Sequence, residues 1–141
     1  MPSIFTRIID GELPARFVWK DDTSVAFLPI ELLNRGHVLV VPRLEVDHWI
    51  DLPSDVVAHI STVAQTIGRA QQLAFSPARI GMMIVGFDVP HVHIHVVPVD
   101  NLSHFDFRAA DTNPDPADLD AMADEIRAAL RSQGHSDHVA D

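Results

Sequence analysis

The run Pro90-His91-Val92-His93-Ile94-His95-Val96-Val97-Pro98 restricts the fold more than any other stretch of this chain. Its alternation has a period of two, which a β-strand turns into two unlike faces. His91, His93 and His95 share one face. Val92, Ile94 and Val96 share the other and demand an apolar core behind them. The flanking prolines bracket the run, because neither can give an N–H to a strand ladder.

The other segments supply the rest of a sheet and its covering helices. Ser3 can cap a short helix carrying Ile4, Phe5, Ile8 and Ile9, which Gly11 and Pro14 end. Phe17-Val18-Trp19 and Val25-Ala26-Phe27-Leu28 read as strands joined by a turn at Asp21-Asp22. Asn34-Arg35-Gly36 is a second turn, followed by the continuous apolar run 37–42, the pattern of a strand buried on both faces. From Pro53 to Phe75 the period changes. Val56, Ile60, Val63, Ala64 and Ile67 recur at three and four, which predicts a long amphipathic helix. Residues 79–86 return to strand and a tight link leads into the histidine run. After a polar loop at 111–118, Asp115 and Pro116 open a last helix with a stripe of Leu119, Met122, Ile126 and Leu130, ended by Gly134. The final residues 135–141 read as a frayed tail. Hairpin-like turns between the early strands predict an α+β fold, a mainly antiparallel sheet of about five strands with a long packing helix. Residues 1–112 carry the functional domain, and 113–141 form a C-terminal helix and tail of that same domain.

Composition narrows the function. The net charge of −10 argues against a nucleic-acid partner or an anionic membrane surface. No apolar run approaches the ~20 residues that span a bilayer, and Met1 to Phe5 lack the basic-then-apolar start of a secretory signal. Cysteine is absent, which removes disulfides, thiolate metal sites and a cysteine nucleophile, and fits a reducing cytoplasm.

Three histidines on one face are costly as mere structure, because each ring's charge depresses its neighbours' pKa. One functional reading is a zinc site. With a strand rise of ~3.3 Å per residue, the Cα atoms of His91 and His95 lie about 13 Å apart, so three rings on a straight strand converge poorly on one ion. The other reading is nucleophilic catalysis. A middle imidazole held in one tautomer can attack phosphorus or an acyl carbon while its neighbours donate to the developing anion.

The stretch "HVHIHVV" resembles the motif of the histidine triad (HIT) family, His-φ-His-φ-His-φ-φ with φ apolar. "SIFTRIIDGELPARFVWKDDTSVAFL" resembles the amino-terminal block of its Hint (histidine triad nucleotide-binding) branch, and "GHVLVVPR" the block that follows. The resemblance spans about residues 3–100 and implies a HIT-like α+β homodimer that needs no metal or other cofactor. It implies hydrolysis or transfer at the α-phosphate of a small nucleotide: a phosphoramidate, an aminoacyl adenylate or a dinucleoside polyphosphate. Carried over by position, His93 is the nucleophile, His95 serves the phosphate oxygens or the leaving group, His91 supports the ring geometry, and His37 packs against the triad. Ile4, Phe5, Ile8, Phe27 and Leu28 are candidates for the nucleotide pocket, together with Asp88.

Three departures stand out. Pro29 occupies the place of an aspartate that holds the ribose hydroxyls in the family. In the link before the triad, Phe87 and Asp88 stand near a glutamine and a serine of the family pattern, and a carboxylate there would repel a phosphate unless protonated or turned away. Thr6 and Glu45 stand where zinc-binding members have a cysteine and often a histidine, so a structural zinc of that type is not expected. Two alternatives stay open beside the hydrolase: a non-catalytic nucleotide- or partner-binding dimer, and a zinc-binding module.

Overall fold

Ser3 takes the N–H of Thr6 on its hydroxyl and starts α1 (Ile4–Ile9), whose buried residue is Phe5. The chain then forms β1 (Arg16–Lys20) and β2 (Ser24–Leu28). Asp21 holds the turn between them, accepting from the N–H groups of Thr23 and Ser24 and from the Trp19 indole. Burial raises the Asp21 carboxyl, but the bonds from Trp19, His59, Thr23 and Ser24 outweigh that and hold it well below the usual carboxylate range. β3 (Val38–Pro42) follows. The 22-residue α2 (Ser54–Phe75) leads to β4 (Arg79–Met83), β5 (Ile94–Val99) and α3 (Pro116–Ser132). This computed structural model describes residues 1–140. Among these, no helix is long and apolar enough to cross a membrane.

All strand pairs are antiparallel, in the order β1-β2-β3-β5-β4. The fold is α+β, as the segment pattern predicts. α2 and α3 cover one face of the sheet, where Val18, Ala26, Val40, Ile94 and Val96 pack with Ile60, Ile67, Ile126 and Leu130. α1 covers part of the other, where Phe5 meets Val25, Phe27, Leu39 and Val41. α3 therefore belongs to the main core. Gly36 opens β3 at φ +86°, where a Cβ would meet the Phe75 ring at 2.5 Å.

Three expectations need correction. β5 begins at Ile94, not at His91. By the β3–β5 register Val92 would face Pro42, which has no N–H to extend the ladder. The Val92 N–H bonds instead to the Val46 carbonyl, and the histidine run enters the sheet from an extended segment. Nor does Pro98 end the strand: it pairs with Ile80 of β4, beyond the reach of β3, and its carbonyl accepts from Asn34. The tail is not frayed through residue 140. His138 packs its ring on Trp19 at 4.8 Å and bonds the Lys20 carbonyl, and the Ala140 N–H reaches the Val18 carbonyl. Asp141 lies outside the described residues.

Candidate active site

The alternation survives the late start of β5. Val92, Ile94 and Val96 point into the helix-covered core. His91, His93 and His95 lie on the α1 side, all three buried. His37, at the mouth of β3, joins them.

Backbone partners settle where each ring carries its proton. The Leu33 N–H donates to His37 Nδ1 at 3.0 Å, so neutral His37 carries its proton on Nε2. That Nε2–H faces His95 Nδ1 at 3.0 Å, which leaves the proton of His95 on its own Nε2. His93 Nδ1 lies 2.8 Å from the His91 carbonyl and must donate to it, so His93 Nε2 keeps a lone pair. His91 Nε2 donates to the Pro42 carbonyl at 2.7 Å, and its Nδ1 accepts from the Ser3 hydroxyl at 2.7 Å. The face thus presents one bare nitrogen, on His93, and one outward-donating ring, His95.

Burial and repulsion from neighbouring rings keep His37, His91 and His95 neutral. Burial first, then His95 and His93, push His37 down to about 3. Burial and His93 push His95 down to about 4, against an opposing pull from Asp88. Burial lowers His91 as well. Phe5 packs edge-on against His93, with ring centres 4.9 Å apart, and closes the α1 side of that ring.

Asp88 reaches the same nitrogen. Its carboxylate Oδ1 lies 3.2 Å from His93 Nε2 while the side chain stays 63% exposed. The contact is not a hydrogen bond, and His93 Nε2 is a buried atom with no hydrogen-bond partner. In the neutral tautomer neither atom carries a proton to share.

Of the proposed pocket residues, Phe5 and Phe27 lie on the histidine face and Ile8 packs beside them. Ile4 stands 48% exposed on α1. Leu28 is a correction: it points to the opposite face, into the core under α2 and α3, because β2 alternates and Phe27 holds the histidine side. Two residues escaped the sequence reading. Ser3 was expected only as a cap, yet it also orients His91, 88 residues away. Phe107 packs edge-on against His95 at 5.2 Å, from a single 3-10 turn (Phe107–Ala109) too short for periodicity to flag it.

Thr6 and Glu45 join this network. Glu45 Oε1 accepts from the Thr6 hydroxyl at 2.6 Å and the Ser3 N–H at 2.7 Å, bonds that hold its carboxyl down at about 2. The group does not fit a metal. Both His91 nitrogens are engaged, and among the described residues no three His, Asp or Glu side chains gather to hold an ion.

The HIT domain family matches residues 10–102, which contain all four histidines of the site. This chain belongs to the histidine triad family. An uncharacterised HIT-like protein of Methanocaldococcus jannaschii is 36% identical over 99 residues, covering 67% of this chain and 77% of that protein. An adenosine 5′-monophosphoramidase of Saccharomyces cerevisiae is 28% identical over 96 residues, covering 67% of this chain and 61% of the yeast protein. The crystal structure of a zinc-bound histidine triad family protein from Mycobacterium smegmatis superposes with a TM-score of 0.81 at 29% identity, over 94% of this chain and 96% of that one. The similarity extends through the C-terminal helix, beyond the matched domain.

Proposed function

We propose that this HIT protein is a nucleotide hydrolase or nucleotidyl transferase acting at the α-phosphate of a purine nucleoside monophosphate derivative. The substrate is a phosphoramidate, an aminoacyl adenylate or a dinucleoside polyphosphate, and the reaction passes through a nucleotidyl-His93 intermediate. One observation carries the reading: a buried imidazole whose Nδ1–H is pinned to a carbonyl and whose Nε2 lone pair has no hydrogen-bond partner. A structural histidine would satisfy both nitrogens. His93 attacks in line, and His95 Nε2–H, aimed by His37, stabilises the equatorial oxygens. His91 acts through its carbonyl and is steadied by Ser3 and Pro42. Phe5, Phe27 and Ile8 offer an apolar wall to the base. The similarity to a monophosphoramidase supports the substrate class.

The test is single-turnover cleavage of an adenosine 5′-phosphoramidate with a fluorescent amine, by wild type and His93→Ala, with EDTA present. Cleavage by wild type alone, indifferent to EDTA, supports the reading. No cleavage by folded wild type favours the second reading, a nucleotide-binding dimer without turnover, which the carboxylate lying over the nucleophile recommends.

We infer further that the chain is a cytoplasmic homodimer joined through β4. That strand is a sheet edge, its Met82 is 59% exposed, and a groove between it and α2 is lined by Ser61, Gln65, Arg69 and Ile80. Gel filtration with light scattering, comparing wild type with Met82→Asp, tests the pairing.

A further inference from the structure

We propose that Asp88 is the proton shuttle of this active site, acid to the leaving group and base to the attacking water; the proposal rests on the hydrolase reading above. Two observations carry it. The Asp88 carboxylate touches the nucleophilic nitrogen at 3.2 Å from a largely exposed position, and the other groups of the histidine face have no proton to spare. His37 uses both nitrogens, toward Leu33 and His95. His91 uses both, toward Ser3 and Pro42. The Ser3 hydroxyl is committed to His91. His95 can donate a hydrogen bond from Nε2, but with Nδ1 held by the His37 N–H, surrendering that proton outright would create an imidazolate. Asp88 alone in this group carries a carboxyl that can both give and take a proton.

The contact also explains where the proton waits. A lone pair and a carboxylate oxygen at 3.2 Å repel each other. One proton taken up on Asp88 as substrate binds removes the repulsion and leaves the Nε2 lone pair free. When an anionic phosphate arrives, that proton stays on Asp88 as the carboxylic acid, and Nε2 is open for attack. The neutral acid no longer repels the phosphate.

The steps balance. In the first, the P–Nε2 bond forms as the bond from phosphorus to the substrate nitrogen breaks. The Asp88 proton passes to that nitrogen, which leaves as a neutral amine, and Asp88 becomes a carboxylate beside the cationic nucleotidyl-His93. In the second, Asp88 takes a proton from water, the oxygen attacks phosphorus, and the P–Nε2 bond breaks with its electron pair returning to His93. The nucleoside monophosphate departs and Asp88 is again the acid. Leaving amine and entering water both occupy the apical position opposite Nε2, so one group serves both steps. Gly86, two residues earlier at φ +93°, lets the link adopt a backbone that most side chains would resist.

The experiment compares wild type with Asp88→Asn on two substrates: an adenosine 5′-phosphoramidate of an alkylamine, which needs a proton to leave, and benzoyl adenylate, whose carboxylate leaves without one. The side chain is exposed enough that the substitution leaves the fold intact, checked by thermal melting. Asp88→Asn should cleave the phosphoramidate about 10²–10⁴-fold more slowly. With benzoyl adenylate it should release one equivalent of benzoate at close to the wild-type rate and then stall as adenylylated protein, seen by intact mass. Asp88→Asn matching wild type on both substrates, or slowed equally in the first step on both, overturns the shuttle and leaves the hydrolase reading standing. Wild type idle on both substrates overturns the hydrolase reading and the shuttle with it.

Discussion

The two faces of the histidine run, from His93 into β5, are built from neighbouring residues and solve opposite problems. Toward α2 and α3, Ile94 and Val96 fill space, and any side chain of similar volume and shape would serve. Toward α1, His93 and His95 are equally buried, yet each nitrogen there has an assigned role. One face is specified by volume and the other by proton position. A fold can retain the first through many substitutions while a single altered tautomer ends the second.

Substituting adjacent residues separates the two most sharply. His93→Ala should abolish turnover, a loss of at least about 10³-fold, while the melted fraction at working temperature barely changes. Ile94→Ala, one residue on, should cost roughly 2–5 kcal/mol of stability with little change in kcat for the protein still folded. Urea melts and single-turnover rates on both variants test this, and equal kcat losses would end the distinction.

The donor chain ranks next. His37→Phe removes the acceptor for Leu33 N–H and the donor that fixes His95, so turnover should fall about 10- to 100-fold with substrate affinity less affected. The same variant reads the pH response. His37 and His95 sit at about 3 and about 4 against an ordinary 6.5, so between those values the unfolded chain binds protons that the native rings refuse. Their stabilisation is complete above pH 6.5 and is lost as pH falls, by up to roughly 1.4 kcal/mol per pH unit for each ring. Urea midpoints from pH 7 to pH 5 should therefore drop, with a shallower slope in His37→Phe.

Gln71 lies between the two regimes. From α2 it donates to the carbonyls of Gly36 and Val96, a polar tie inside the apolar face. Gln71→Leu should cost about 1–3 kcal/mol by stranding two acceptors, measured by urea unfolding. Ser3→Ala should have the smallest effect, about 1 kcal/mol from the lost cap, with a few-fold fall in turnover as His91 loses its hydroxyl partner.

Local periodicity made most of the fold readable. Val56 to Ile67 and Leu119 to Leu130 announce their helices, and the alternation at 91–96 assigns both faces of the histidine run. What escaped depends on partners distant in sequence. Pro42 decides where the histidine run can join the ladder, and nothing within residues 90–98 reveals it. Leu28 was misplaced because a fully buried strand shows no polar side to orient it. All four histidines were legible from the motif and the block around His37. The tautomers were not, since they depend on the carbonyls of Pro42 and His91 and on the N–H of Leu33.

The tail packed on Trp19 has a consequence for assembly. The carbonyls of Phe17, Val18 and Lys20 are taken by Arg127, Ala140 and His138, so the β1 end of the sheet is sealed by the chain's own C-terminal segment. Among the described residues no such backbone bonds close the β4 edge. A sheet with one open end can recruit a second copy by that end, and the resulting pair then has no raw edge left on which to polymerise. If the chain pairs through β4 as proposed, removing residues 135–141 would turn that terminating partnership into a growing one, with filaments as the foreseeable cost.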